Sequence, residues 1–400
     1  MKETQVCIVG AGPAGLTAAM NLNKLGVDCL LIDKSTFPRD KVCGECFDGH
    51  VYHVLRRLDP NYVEDMHDKG ILLKSWEYWF GDEYGRKLRT TFDTNATPRI
   101  LTKRTAFDTY LVNKIKAMPH VEVMEKVEIT TVEQVKDGTI LTTKDGKTQI
   151  KAQLIIGASG ATSKFFNAVT NTKKRDGDTY NFVRAYFKNV KAIPNNEVVF
   201  HIFYEPMIVL YICPLPDGIV SVEVGIKKTE SKKHQVNLRE QLFELLATYE
   251  PVIDRFKHAT LADKVKGATI QLSYKKAKIS GDRFLLAGAA AQSVHPVTGY
   301  GVGHAMAAGE IAAQIAHQAI QQQRFDAKFL KQYDKAVYKK LGNEILLSKL
   351  TTYIFDHPKT CLPILFRVGG SITDLLTHKD FSQEFLNPVF YLKRLMVNGN

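Results

Sequence analysis

The stretch VCIVGAGPAG at residues 6–15 constrains this chain more than any other. Val6, Cys7, Ile8 and Val9 make a short apolar run suited to one buried parallel strand. Gly10-Ala11-Gly12-Pro13-Ala14-Gly15 then fits GxGxxG. Gly10 permits a tight turn, Gly12 lets a pyrophosphate approach the backbone, and Gly15 lets the following helix pack closely on the strand. Pro13 suits the first helical turn, where its missing N–H has no intrahelical partner to lose. The pattern predicts a helix to about Leu25, stopped by Gly26, and a second strand over 28–32 that carries Asp33 at its end. A carboxylate there accepts hydrogen bonds from the adenosine ribose. A lone GxGxxG is a weak signal. Strand, glycine turn, helix, strand and terminal acid in this order specify a dinucleotide site.

The chain has 400 residues, 44% hydrophobic and 24% charged, which is the balance of a globular protein with two or three domains. No apolar run reaches membrane-span length, and the opening MKETQ does not read as a signal peptide. Cys7 and Cys29, two of six cysteines, lie inside the first two strands, so a reducing cytoplasm without a disulfide framework is expected. The formal net charge is +12, with lysine clusters at 173–175, 227–228, 232–233 and 275–276. These fit a solvated basic surface, or peripheral contact with an anionic membrane or an acidic carrier protein. No nucleic-acid-binding motif accompanies the charge.

After Asp33 comes a loop rich in turn formers and charge that contains Cys43-Gly44-Glu45-Cys46. As half a zinc site it lacks a second ligand pair, and as a redox pair it lacks thioredoxin-type surroundings. Gly44 more simply provides close backbone approach to a ligand. Residues 50–58 read as a helix. Residues 76–80 alternate at strand period and return through a hairpin near Gly81-Asp82 to Thr91. Such aromatic strands pack a sheet or wall an apolar ligand cavity.

Arg104 opens an amphipathic helix over 104–118. Short strands are predicted at 121–124, 127–132, 139–143 and 149–151, with a turn at Asp145-Gly146. The run 154–163 brings an apolar strand into glycines and small residues. Residues 180–226 alternate as antiparallel sheet, followed by a helix near 236–249. A buried strand at 284–288 leads through His295-Pro296 and Gly299-Tyr300-Gly301 into an Ala-rich helix ending near Gln321. Its glycine-lined N-terminus would stabilise negative charge on a reduced flavin ring. Residues 326–400 read mostly as helices, broken at His357-Pro358 and Leu362-Pro363.

Four stretches in this order carry a family likeness: GAGPAG…LLIDKS, FPRDKVCGE, LIIGASGATS and FLLAGAAAQSVHPVTGYGVGHAM. Over residues 3–325 the chain resembles the FAD-dependent oxidoreductases of the p-hydroxybenzoate hydroxylase type, and most nearly their geranylgeranyl reductase branch. The resemblance implies an α/β fold with an α+β substrate domain. Residues 1–75, 97–177 and 265–325 would form a discontinuous Rossmann-type FAD-binding domain of the glutathione reductase/p-hydroxybenzoate hydroxylase type. Residues 76–96 and 178–264 would form an inserted antiparallel-sheet substrate domain, and 326–400 a C-terminal helical region.

By the same likeness Gly10, Gly12, Pro13, Ala14 and Gly15 would hold the pyrophosphate, Asp33 with Lys34 the adenosine ribose, and Val127 the adenine. Arg39, Arg104, Gly160, Gly288 and Ala289 would also touch FAD, with Cys43 and Gly44 close to its ring. Pro296, Gly299, Gly301 and Val302 would cradle its pyrimidine end. Trp79, Tyr211, Cys213 and Pro214 would meet the substrate. The chain departs from the family pattern in three places. Ala289 and Ser159 stand where the family carries aspartates. Val209, Tyr211, Cys213 and Pro214 replace the branch's Tyr-x-Trp-x-Phe-Pro, and Trp76 and Trp79 do not fit the Trp-x-Trp-x-Ile-Pro of related flavin halogenases.

The expected activity is that of an FAD oxidoreductase on a hydrophobic substrate. One dinucleotide fingerprint is present, so NAD(P)H would dock transiently or another electron donor would serve. In a reductase, hydride would pass from reduced flavin to a substrate double bond, with Cys43 as a proton donor. In a monooxygenase, one oxygen atom would be transferred to an aromatic or polyene substrate. The replaced acids also admit a flavin-binding partner without turnover. His295 is a second catalytic candidate, although a histidine before proline in a tight loop also serves as a hydrogen-bonded structural residue.

Overall fold

The computed structural model describes residues 1–80, 86–91, 97–160, 179–193, 196–271, 277–291 and 301–357. Its core is a parallel sheet formed by β1 (Lys2–Val9), β2 (Cys29–Ile32), β8 (Val121–Met124), β11 (Gln149–Gly157) and β19 (Phe284–Leu286). The order is β19-β11-β1-β2-β8, with β18 (Ser280–Gly281) antiparallel on the β19 edge. Val6, Cys7 and Ile8 are fully buried because helices cover the sheet on both faces, as parallel sheets require. Val6 lies in register with Leu154 on one side and Cys29 on the other.

β10 (Gly138–Thr143) extends this sheet antiparallel to β11, with Asp145 and Gly146 in the turn between them, and β9 (Ile129–Val135) pairs antiparallel with β10. Two differences from the sequence reading arise here. β11 is one continuous strand, where separate runs at 149–151 and 154–157 were expected, because its first half pairs with β10 and its second with β19. β9 begins at Ile129, since the Val127 N–H is held by the Asp33 carbonyl oxygen at 2.9 Å.

Helix α1 (Pro13–Lys24) follows β1 and packs on the Ala-rich helix of residues 302–321. Contact is close enough that a Cβ on Gly309 would lie 2.2 Å from the Ala14 carbonyl oxygen. α2 (Gly49–Leu58) is capped by the Asp48 side chain at the Val51 N–H. α3 (Pro60–Lys69) was not anticipated. Asp59 caps it at the Asn61 N–H, and Pro60 sits in its first turn. α4 (Arg104–Ile115) follows the small sheet of β3 (Cys46–Phe47), β7 (Ile100–Leu101) and β4 (Ile71–Leu72).

The second large sheet runs β16-β12-β15-β14-β13-β5-β6. Its strands are β5 (Ser75–Phe80), β6 (Arg86–Thr91), β12 (Thr179–Lys188), β13 (Glu197–Phe203), β14 (Ile208–Leu215), β15 (Ile219–Lys227) and β16 (Thr260–Leu261). β17 (Lys266–Gln271) pairs with β12, so these residues join this sheet and not the cofactor layer expected to begin at 265. All neighbours are antiparallel except β5 and β13, which run parallel. α5 (Lys228–Lys233), α6 (Leu238–Thr248) and α7 (Glu250–Phe256) follow, and α6 and α7 cover one face of the sheet. α8 (Val302–Gln321) and α9 (Ala327–Asp356) complete the described chain. No helix among the described residues is long and apolar enough to cross a membrane.

Candidate active site

The glycine turn is built as a cradle. The Gly10 N–H donates to the Ile32 carbonyl oxygen at 2.7 Å, and its φ of 110° is a conformation that favours glycine. A Cβ on Gly15 would lie 2.0 Å from the Gly10 carbonyl oxygen, so only glycine allows α1 to start there. Gly12 is the N-cap of α1 and no side chain caps it, which leaves first-turn N–H groups available to an anion. A Cβ on Gly12 would meet only the Arg39 guanidinium, at 3.8 Å.

Asp33 locks this turn. One carboxylate oxygen accepts the Ala11 N–H and the other the Ser35 N–H, both at 2.8 Å. Arg39 donates to the Ala11 carbonyl oxygen at 3.2 Å and lies 4.0 Å from Asp33 and 3.3 Å from Asp108. Arg104 grips the fully buried Asp108 with two bonds of 3.0 and 2.8 Å. Two guanidiniums thus share Asp108 beside an uncapped helix N-terminus. Space, free N–H groups and positive charge coincide, so these residues fit the pyrophosphate of FAD.

The remaining sequence-predicted cofactor residues distribute around this cradle. Val127 is bonded by its backbone to Asp33, and Lys34 is exposed beside it. Gly160 has a φ of 84°, and none of the described residues lies within 4 Å of where its Cβ would be. Gly288 packs on Ala14 and Ala305, so it serves helix packing, and Ala289 is half-buried next to it. Gly301 is the N-cap of α8, without a side-chain cap, and Val302 begins the helix. His295, Pro296 and Gly299 lie outside the described residues.

Cys43 and Gly44 stand between the two sheets. The Cys43 thiol neighbours Arg104, and burial pushes its ionisation up against the pull of that cation. A Cβ on Gly44 would lie 3.5 Å from the Tyr211 ring and 3.9 Å from Glu223 Oε2. The face of the antiparallel sheet that meets this loop carries Val198, Phe200, Tyr211 and Cys213, packed with Cys46 and Leu101. Arg184, Tyr211 and Glu223 are lateral neighbours in register on three adjacent strands.

The structure brings Tyr211 and Cys213 to the loop but not the other two predicted substrate residues. Trp79 pairs with His201, and their rings pack 5.3 Å apart on the face covered by α6 and α7. Pro214 pairs with Val220 of that same buried cluster. Strand alternation is the reason: one-residue steps send Trp79 and Pro214 to the side away from Tyr211.

A buried ionic cluster underlies the loop. Arg184, 1% exposed, bonds Asp40 at 2.7 Å and Glu45 at 3.1 Å, and Tyr186 donates its hydroxyl to Glu45. Lys266 reaches Asp40 at 2.8 Å. Burial raises the ionisation of Asp40, but the bonds from Arg184 and Lys266 outweigh it and bring the carboxyl down to about 2. Glu45 goes the other way. Burial lifts it to about 7 despite Tyr186 and Arg184. Glu223 reaches about 8, from burial first and then from Glu45, with Arg184 opposing. Burial also pushes Tyr211 and Cys213 well above their ordinary values.

Sequence reasoning missed Asp108, Glu45, Arg184 and Glu223. The available signal was a charge set inside an alternating strand, as in NFVRAYF and VSVEVGI, which reads equally as a solvent face.

Comparison with known proteins agrees with this geometry. The FAD binding domain family matches residues 3–335. Digeranylgeranylglycerophospholipid reductase 3 of Methanosphaera stadtmanae is 29% identical over 86% of this chain and 85% of its own. The 1H-pyrrole-2-carbonyl-[peptidyl-carrier protein] chlorinase of Pseudomonas fluorescens is 25% identical over 92% and 90%. A geranylgeranyl bacteriochlorophyll reductase-like protein of Thermoplasma acidophilum shares the fold, with TM-score 0.79, 19% identity and 99% coverage of both chains. The chain belongs to the FAD binding domain family and is an FAD-dependent oxidoreductase.

Proposed function

We propose that this enzyme reduces a carbon–carbon double bond in an isoprenoid- or lipid-like substrate that binds beside the Cys43-Gly44 loop and the Tyr211 face of the antiparallel sheet. One observation carries the reading: a buried sheet face of Val198, Phe200, Tyr211 and Cys213 meets the Cys43-Gly44 loop next to the pyrophosphate cradle. Cys43, Tyr211, Cys213 and Glu223 are all shifted upward by burial. Saturating a double bond consumes one hydride and one proton, so a site rich in retained protons suits it. FAD, when bound, supplies the hydride. Val198, Phe200 and Tyr211 give the substrate an apolar wall and exclude water. Cys43, next to Gly44, is a proton-bearing thiol on the cofactor side. Likeness to digeranylgeranylglycerophospholipid reductases supports the substrate class. NAD(P)H or another donor would recharge the cofactor, and the net charge of +12 supports peripheral contact with an anionic lipid surface or carrier protein.

The test is anaerobic. FAD-loaded protein is reduced with dithionite and mixed with digeranylgeranylglycerophospholipid while flavin absorbance is followed. Reoxidation without oxygen, with a product heavier by two hydrogen atoms, is expected. Reoxidation that requires oxygen, with a product heavier by one oxygen atom, would replace this reading with monooxygenation.

A further inference from the structure

We propose that Glu223 is the acid that protonates the substrate carbon next to the one receiving hydride, an inference that rests on the reductive reading above. Glu223 sits mid-strand in β15, paired with Arg184 of β12 on one side and Tyr211 of β14 on the other. It is 8% exposed. Its Oε2 lies 3.9 Å from where a Cβ on Gly44 would stand, so the carboxyl is aimed at the one loop position that has no side chain. Its Oε1 is buried without a hydrogen-bond partner among the described residues.

An ionised carboxylate without donors is costly in such a place, and the neutral acid is the cheaper state. The titratable and charged groups around it come from three elements: Arg184 on β12, Tyr211 and Cys213 on β14, and Cys43 and Glu45 in the loop. Only Arg184 favours the carboxylate, and it is already bonded to Glu45 and Asp40.

The neighbouring acids are less suited. Glu45 Oε1 accepts from both Tyr186 and Arg184, which binds that oxygen into the ionic cluster. Cys43 holds a thiol whose ionisation is pushed above its ordinary 9.0, so it yields a proton less readily than a carboxyl poised at about 8. An acid with an ionisation near the working pH is the better proton donor.

The step balances as follows. The alkene π pair forms a C–H bond to the Glu223 proton, and the O–H bonding pair stays on the carboxylate. The adjacent carbon takes the hydride supplied by reduced FAD, which NAD(P)H or a donor of that class restores. The carboxylate then recovers a proton from water.

The experiment uses full-length, FAD-loaded protein. Infrared spectra of the wild type should show a protonated-carboxyl band, absent from Glu223→Gln, that titrates near pH 8 and needs no turnover. Anaerobic reduction of digeranylgeranylglycerophospholipid should slow about 10²–10⁴-fold in Glu223→Gln, with partial recovery in Glu223→Asp and unchanged FAD content. Wild-type rates in Glu223→Gln, or a wild type without the band, would overturn the Glu223 assignment and leave the reductive reading standing. A wild type that consumes lipid only with oxygen would overturn both.

Discussion

Two buried ion clusters flank the loop of residues 33–46, and their stoichiometries are opposite. On the cofactor side, Arg39, Arg104 and the neighbouring Lys41 outnumber the carboxylates Asp108 and Asp33. On the sheet side, the carboxyls Asp40, Glu45 and Glu223 outnumber the cations Arg184 and Lys266. A surplus of cation in a dry place is relieved by recruiting an anion, which fits a pyrophosphate. A surplus of carboxyl is relieved by retaining protons. One loop therefore separates a region suited to an anion from a region suited to retained protons, a division that the proposed reduction would use.

The largest effect is expected where the cradle is made of backbone alone. Gly15→Val would drive a side chain into the Gly10 carbonyl oxygen, 2.0 Å from even a Cβ. The variant should purify without FAD, seen as loss of flavin absorbance. Bound flavin in this variant would show that the turn is not the pyrophosphate site.

Next come the paired arginines, which should fail in different ways. Arg184→Leu leaves Glu45 without its buried cation and Asp40 with Lys266 alone, and should destabilise the fold by about 3–5 kcal/mol in thermal or denaturant melts. Arg39→Ala leaves Asp108 with Arg104, so the fold should survive. It should lower FAD affinity about 10- to 100-fold, the worth of one charge-assisted contact of about 1.5–3 kcal/mol. Titration of the apoprotein with FAD measures it. Similar effects of both variants on both readouts would abolish the distinction between the clusters.

How much of this was legible depended on how local each signal was. Strand, turn, helix and Asp33 lie within residues 2–33, so the cradle could be read directly. Its anion-binding role needed Asp108, which the sequence shows only as one acid in an amphipathic helix; its meaning comes from Arg39, far away in the chain. The antiparallel sheet was readable from alternation, but which face met the loop was not. Alternation gives two faces without saying which one a cofactor domain will cover, so it does not show that Trp79 and Pro214 lie on the opposite face from Tyr211. Glu223 is one charge in an alternating strand, and alternation does not show that the loop at Cys43–Cys46 lies against it.

The smallest effect is the pH dependence of stability, which comes from the sheet-side cluster. Glu223 ionises near 8 in the fold and at an ordinary 4.5 when unfolded. Between those values the native state binds the extra proton, so stability falls as pH rises. Glu45, at about 7, adds to the same slope. Asp40, held at about 2, acts in the opposite sense and in another window: its contribution is complete above the ordinary 3.8 and is lost as pH falls through 2. Melting temperature should therefore decline by a few degrees from pH 5 to pH 8. Glu223→Gln removes one of the two carboxyls and should flatten the decline without abolishing it, because Glu45 still titrates. Arg39→Ala touches neither carboxyl and should leave the slope as it is in the wild type. An equal decline in all three proteins would mean that Glu223 is ionised in the fold, and the asymmetry between the two clusters would be lost.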